Sequence, residues 1–123
     1  MNLEPCRQDA NGLLRGDTAS NRGESVDTGL EYRPGDPVRV WILRRERRVS
    51  VSDHGTALRK AGGPPGRQRA CERVLAEFDV NITRAGVVWL PVVAAGPSEQ
   101  AVVARIGRAS LIFFEELLEL ERP

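Results

Sequence analysis

The sequence predicts an α+β domain in which an antiparallel sheet, built from two β-hairpins, packs against a helical pair and a long C-terminal helix. Two observations lead to this class. Short runs of alternating apolar residues occur in two pairs, and segments with helical spacing separate and follow them. The resulting order is β-β-α-α-β-β-α. With 123 residues, 41% of them hydrophobic and 28% charged, the chain has the length and composition of one globular domain.

Residues 1–33 are expected to form a disordered or loosely ordered tail, followed by a single domain over residues 34–121. Glycines are spread among polar residues in this stretch, and its apolar residues follow no sustained period. A segment of this kind buries too little apolar surface to offset the entropy lost on ordering. Order is therefore expected to begin at the turn formed by residues 33–37, which contains two prolines and a glycine.

The first hairpin is predicted from two alternating runs, residues 38–43 and residues 48–52. Residues 44–47 form its charged tip. Because the tip lacks the Asn-Gly pair of a tight turn, we expect a four-residue loop.

Two helices are predicted next. A turn that contains Asp53, Gly55 and Thr56 ends the strand; Gly55 suits a positive φ, and Thr56 is expected to cap a short helix that ends at Lys60 or Ala61. The run Gly-Gly-Pro-Pro-Gly at 62–66 ends this helix. Apolar residues at helical spacing then predict a second helix over about residues 67–78.

The second hairpin joins residues 81–83 to residues 87–93, with Gly86 at the left-handed position of a three-residue loop. The last helix is predicted to begin after Ser98, a favourable N-cap, and to end near Leu120. Its apolar stripe comprises Val102, Ile106, Ala109, Phe113, Leu117 and Leu120.

Leu111, Phe114 and Leu118 lie off that stripe. If the stripe alone covers the sheet, these three side chains face outward, and their exposure favours a homodimer or a protein partner docked on the final helix. The alternative is a helix wedged between the sheet and the helical pair and covered on two sides.

A short motif, Ser52-Asp53-His54-Gly55-Thr56-Ala57-Leu58, follows the second predicted strand, and the turn at residues 34–37 precedes the first. With the basic helix, a Val-Asn strand and the closing amphipathic helix, residues 32–120 resemble a bacterial and phage family known as a domain of unknown function, whose members carry Ser-Asp-x-Gly-x-x-Leu at this point. The resemblance implies the α+β architecture and a bacterial origin, and it implies no activity. His54 stands where such members commonly carry a small or acidic residue.

The net charge of +1 is unevenly distributed. Residues 37–73 hold ten Arg or Lys against three Asp or Glu, an excess of seven positive charges, whereas residues 1–36 and 74–123 each hold four Arg against seven acids. Clustered arginines at the hairpin tip, close to Trp41, and at the start of the second helix are candidate anion-binding or nucleic-acid-binding residues. They are Arg44, Arg45, Arg47, Arg48, Arg67 and Arg69. The alternative is an ordinary solvated tip and a plain interhelix loop.

Few metal or catalytic sites can be built from this chain, since it has a single histidine and two cysteines without a CxxC motif. We expect no metal, no cofactor and no catalytic residue, and a cytoplasmic protein with reduced thiols and no membrane segment. The predicted function is that of a small binding or regulatory protein acting through protein or polyanion contacts. The alternative is a small metal-dependent hydrolase or nuclease that uses Asp53 and nearby acids such as Asp36.

Overall fold

In the computed structural model, which describes residues 23–63 and 67–120, five strands form one antiparallel sheet and three helices pack against it. The strands lie in the spatial order β1-β2-β3-β5-β4, and the predicted α+β class is confirmed. The strands are β1 (Glu24–Arg33), β2 (Asp36–Arg45), β3 (Arg48–Ser52), β4 (Asn81–Ile82) and β5 (Val88–Val92), and the helices are α1 (Thr56–Lys60), α2 (Gln68–Phe78) and α3 (Glu99–Leu120).

Strand β1 corrects the predicted start of the domain. Residues 24–33 were expected in the tail, but they pair with β2 from Glu24 opposite Ile42 to Arg33 opposite Asp36. Alternate residues of β1 turn toward the core, and Tyr32 is buried. The register shifts on both sides of Glu31, so the pairing is irregular. The inward positions do alternate in the sequence, but the polar Thr28 and the adjacent Gly29 weaken the apolar pattern. Residues 1–22 of the predicted tail and residue 121 lie outside the described residues.

Both predicted hairpins are present, with one correction. Arg45 pairs with Arg48, so the first turn contains only Glu46 and Arg47 rather than four residues, and Glu46 has a φ of 52°. In the second hairpin Gly86 has a φ of 87°, the predicted left-handed conformation. Its backbone also passes so close to Leu58 that an added Cβ would overlap that side chain.

The core lies between one face of the sheet and the helices, and we call this the inner face. Its strand residues Val38, Val40 and Val51 are completely buried, as are Ile106 and Phe113 of α3. Helix α3 contacts β1, β2, β3 and β5 as well as α1 and α2. The Ser98 Oγ accepts a hydrogen bond from the Ala101 amide at 3.1 Å, so the predicted N-cap is confirmed.

The structure contradicts the expected outward position of Phe114. Its side chain is 1% exposed and meets the ring of Tyr32 edge-on, with the centroids 5.2 Å apart. The reason is β1, which widens the sheet and places Tyr32 against a second side of α3. Leu111 and Leu118 are half-buried and pack at the margin of the same core. The wedged-helix alternative therefore describes Phe114, and Phe114 is not available as an interface residue.

Candidate functional site

Asp53, directly after β3, is the centre of a buried polar network. Its Oδ1 accepts hydrogen bonds from the backbone amides of Gly55 at 2.8 Å and Val88 at 3.0 Å, and its Oδ2 accepts one from the Ser110 hydroxyl at 2.7 Å. Since that bond uses the single hydroxyl proton of Ser110, the Tyr32 hydroxyl must donate to Ser110 Oγ, 2.7 Å away. The network thus joins β1, the turn after β3, β5 and α3.

The donors that surround the Asp53 carboxylate are neutral, and the side chain is completely buried. Burial raises the pKa of Asp53, because desolvation disfavours the charged form, while the bonds from Ser110 and the amides act in the opposite direction. Burial likewise raises the pKa of Tyr32 well above its ordinary value. These groups join the sheet to helix α3, and none of them is presented to solvent.

The turn after β3 has the predicted conformation at Gly55, with a φ of 75°, but Thr56 has a different role from the one expected. The Thr56 hydroxyl donates to the backbone carbonyl of Asp53 at 2.6 Å, and the N-cap of α1 is Gly55, without a side-chain cap. Thr56 is therefore not a capping acceptor; it closes the turn around Asp53.

The face of the sheet opposite the helices, which we call the outer face, carries both tryptophans of the chain. Trp41 lies opposite Ser52, and Ser52 lies opposite Trp89, so three adjacent strands form one row. The sequence neighbours of these residues lie on the inner face, three of them buried and Leu90 half-buried, and alternation along a strand directs Trp41 and Trp89 away from it. Both indoles are partly exposed, and neither belongs to the core cluster.

His54 is stacked on Trp41, with ring centroids 4.3 Å apart and planes 8° from parallel. The backbone of His54 is left-handed, at a φ of 56°, which few residue types other than glycine adopt readily. The Arg59 guanidinium donates to the His54 carbonyl at 2.7 Å and fixes this turn from the other side. The turn that buries Asp53 therefore also places an imidazole on the outer face.

The arginines predicted at the hairpin tip divide into two groups. Arg44 points to α3, where its two Nη atoms each lie 2.8 Å from an oxygen of Glu99, and it lies 3.6 Å from Glu24. These contacts raise the pKa of Arg44 and lower the pKa of Glu99, because the hydrogen bonds favour both charged forms. Arg44 is therefore a clamp between β2 and α3.

The other three tip arginines face solvent. Arg45 and Arg48 are cross-strand partners on the outer face and line a shallow depression with Glu46, while Arg47 is exposed in the turn itself. The two arginines predicted near α2 do not join them. Arg67 donates to the Arg84 carbonyl at 3.1 Å, and Arg69 is exposed on α2.

The acids of the hydrolase alternative have other partners. Asp36 forms an ion pair with Lys60 at 3.0 Å, and the oxygens of Asp53 are engaged as described above. In the described ranges no cluster of three or more His, Cys, Asp or Glu is placed to hold a metal ion. Cys71 is half-buried without a disulfide partner among these residues, and burial raises the pKa of its thiol. No helix of the described part is long and apolar enough to cross a membrane.

No protein-family model, curated protein or solved structure matches the chain. The resemblance carried by the Ser-Asp-x-Gly-x-x-Leu motif therefore stays a prediction. The structure nonetheless gives each fixed position of that motif a physical role. Ser52 lies on the outer face, Asp53 anchors the buried network, Gly55 has a positive φ, and Leu58 covers Gly86.

Proposed function

We propose that the protein acts by binding, without catalysis, and that its ligand is a polyanion held at the outer end of the β2–β3 hairpin. The observation that carries this proposal is the solvent-facing group of Arg45, Arg47 and Arg48, in which Glu46 is the one acid among the described residues of the hairpin tip. Arg47 and Arg48 form no ion pair within the described residues, so their charge is not neutralised there. Arginine is well suited to bidentate contacts with phosphate.

The buried network supports a structural role for Asp53 and Ser110, the polar residues that a hydrolase would need as metal ligand or nucleophile. Removing the Asp53 carboxylate from its amides and from Ser110 to bind a metal would leave those buried donors without partners. The same holds for Ser110 as a nucleophile, since its hydroxyl is completely buried. The hydrolase alternative therefore receives no support from this geometry.

A protein contact on α3 has less apolar surface to use than the sequence predicted. With Phe114 in the core, only Leu111 and Leu118 of the three predicted interface residues keep exposed surface that a homodimer or partner could contact. A cytoplasmic location fits the Cys71 thiol, which has no disulfide partner among the described residues, and it remains part of the proposal.

Inorganic polyphosphate is the probe that tests the polyanion proposal, because it carries phosphates and no bases. We expect binding at low ionic strength, with an affinity that falls steeply as salt is added. The triple variant Arg45→Ser, Arg47→Ser, Arg48→Ser should bind about tenfold more weakly or worse, as several phosphate contacts are lost.

The matched control removes three exposed arginines from the helical side, by Arg69→Ser, Arg73→Ser and Arg108→Ser. It changes the net charge equally, so an equal loss of affinity in both triple variants would mean that binding depends on total charge and not on the hairpin. No binding of polyphosphate at low salt would reject the proposed function.

A further inference from the structure

We propose that the outer face binds single-stranded nucleic acid, whose bases stack on the Trp41–His54 pair and on Trp89 while its phosphates contact the flanking arginines. This inference rests on the proposed function, because it names the class of polyanion. It adds a base-binding surface that the arginines alone do not provide.

The distribution of aromatic residues is the first argument. Phe113, Phe114 and Tyr32 fill the core, whereas both tryptophans lie on the opposite face of the sheet. Indoles bury a large apolar area when they find a partner, and tryptophan is enriched at recognition surfaces. Exposed aromatic rings on a sheet form the kind of platform on which unpaired bases stack.

The geometry of the row is the second argument. Neighbouring strands lie about 4.8 Å apart, so the backbones of Trp41 and Trp89 are separated by about 10 Å, with the small Ser52 between them. Trp41, with His54 stacked on it, and Trp89 therefore project from the same face about 10 Å apart, a distance that successive bases of one strand can span, since they rise about 3.4 Å each when stacked. The neighbouring row contains Leu43, Ser50 and Pro91, which extend the surface without adding a negative charge.

The positions of the cations are the third argument. On the outer face of β2, Arg39 lies two residues before Trp41 and Arg45 lies four residues after it, at about 7 and 13 Å along the strand. Arg39 donates to Ser25 Oγ at 2.7 Å and lies 3.8 Å from the Asp27 carboxylate, an exposed pair of the kind that salt and competing anions displace easily. Cations therefore lie on both sides of the rings, over a length that suits several nucleotides of an extended strand.

A single strand fits this face better than a duplex or a second copy of the chain. The rings can stack on bases only where those bases are unpaired and unstacked, and the helices, the elements that commonly enter a major groove, lie behind the opposite face. Two copies docked through this face would bring their arginine groups into one interface, where like charges repel. Charge complementarity therefore favours a nucleic acid.

The test compares an oligothymidylate of about eight nucleotides with inorganic polyphosphate, with isothermal titration calorimetry for both probes and tryptophan fluorescence for the oligonucleotide. We expect the oligonucleotide to quench the fluorescence and to bind more tightly than a duplex of the same length. Trp89→Leu should weaken oligonucleotide binding about tenfold or more, and leave polyphosphate binding within about twofold of the wild type. The control Leu75→Ala removes an apolar side chain, 37% exposed, from α2 and should change neither affinity.

A second variant, His54→Asn, removes a ring without altering a strand, and asparagine tolerates the left-handed backbone. It should weaken oligonucleotide binding selectively even if Trp89→Leu fails to fold, which circular dichroism would show. Unchanged oligonucleotide affinity in the folded aromatic variants would overturn the stacking proposal and leave polyphosphate binding intact. Equal affinity for the duplex would overturn it too, as would a wild-type dimer that Trp89→Leu dissociates. Binding of neither probe would reject the proposed function as well.

Discussion

The two faces of the sheet are built from the same strands, yet polar and aromatic groups are buried on one face and partly exposed on the other. On the inner face every bond of the Asp53 carboxylate is made within the chain, and the aromatic rings are packed against helix α3. On the outer face the rings of Trp41 and Trp89 remain partly exposed beside solvent-facing arginines. Ser52, Asp53 and His54 alternate between the two faces, so one short segment supplies both. The polar groups of the inner face are satisfied within the chain, whereas the aromatic rings of the outer face keep exposed surface.

The largest expected effect comes from breaking the inner network at its centre. Asp53→Ala removes the acceptor of two buried amides and one buried hydroxyl, so we expect it to lower the free energy of unfolding by about 4 kcal/mol or more. Urea denaturation measures this loss. Asp53→Asn is the control, because its Oδ1 still accepts the two amide bonds and its Nδ2 can donate to Ser110. A loss below about 1 kcal/mol for Asp53→Ala would mean that the network is not essential.

A slightly smaller loss is expected at the aromatic contact of the inner face. Phe114→Ala leaves a cavity beside Tyr32 and should cost about 3–4 kcal/mol. Phe114→Glu should unfold the domain, whereas Leu111→Glu, at a half-buried position, should leave a folded protein by circular dichroism. A folded, monomeric Phe114→Glu protein would instead show that Phe114 lies at the surface and would support the predicted interface on the final helix.

The pH dependence of stability tests the buried carboxylate of the inner face. Because the pKa of Asp53 is raised in the folded state, its protonated form is favoured there, and the wild type should gain stability as the pH falls through that raised pKa. The gain should level off below the ordinary pKa of an aspartic acid, about 3.9. Asp53→Asn cannot show it, so the difference between the two unfolding curves isolates the effect. A difference in stability that does not change with pH would contradict the assigned shift.

The smallest expected effect concerns the boundary between the faces at the hairpin tip. Arg44→Ser breaks the clamp to Glu99, which lies in solvent, so we expect a small decrease in melting temperature and no change in polyphosphate affinity. Arg48→Ser should do the reverse, with an unchanged melting temperature and weaker binding. If Arg44→Ser weakens polyphosphate binding as much as Arg48→Ser does, the division of the tip arginines into a structural residue and ligand-binding residues is wrong.

The alternating and helical periods predicted most of the elements, because each lies within a few consecutive residues. Strand β1 was missed although Val26, Thr28, Leu30 and Tyr32 alternate toward the core, because the polar Thr28 and the neighbouring Gly29 weaken that signal in the sequence. That omission caused the error at Phe114, since the ring that covers it belongs to Tyr32 of β1.

The Asp53 turn was predicted from local signals, whereas its partners were not. Ser110 is 57 residues from Asp53, and Tyr32 is 78 residues from Ser110, so no local pattern joins them. One signal was present: Ser110 is a hydroxyl residue beside Ala109 in the apolar stripe of α3, and a polar residue at such a position needs a buried partner. The position of Trp89 on the outer face can be deduced only from its pairing with Ser52. That pairing depends on the order of the strands in the sheet, which no local pattern predicts.

The irregular register of β1 has a consequence for how this sheet ends. An edge strand with a long regular ladder offers free amides and carbonyls to any other extended chain, and such pairing begins many aggregates. The shifts around Glu31, with the charged Asp27 nearby, interrupt that ladder, while the opposite edge, β4, is only two residues long. Among the described residues neither border offers a long regular ladder, so the borders of this sheet resist fibril growth.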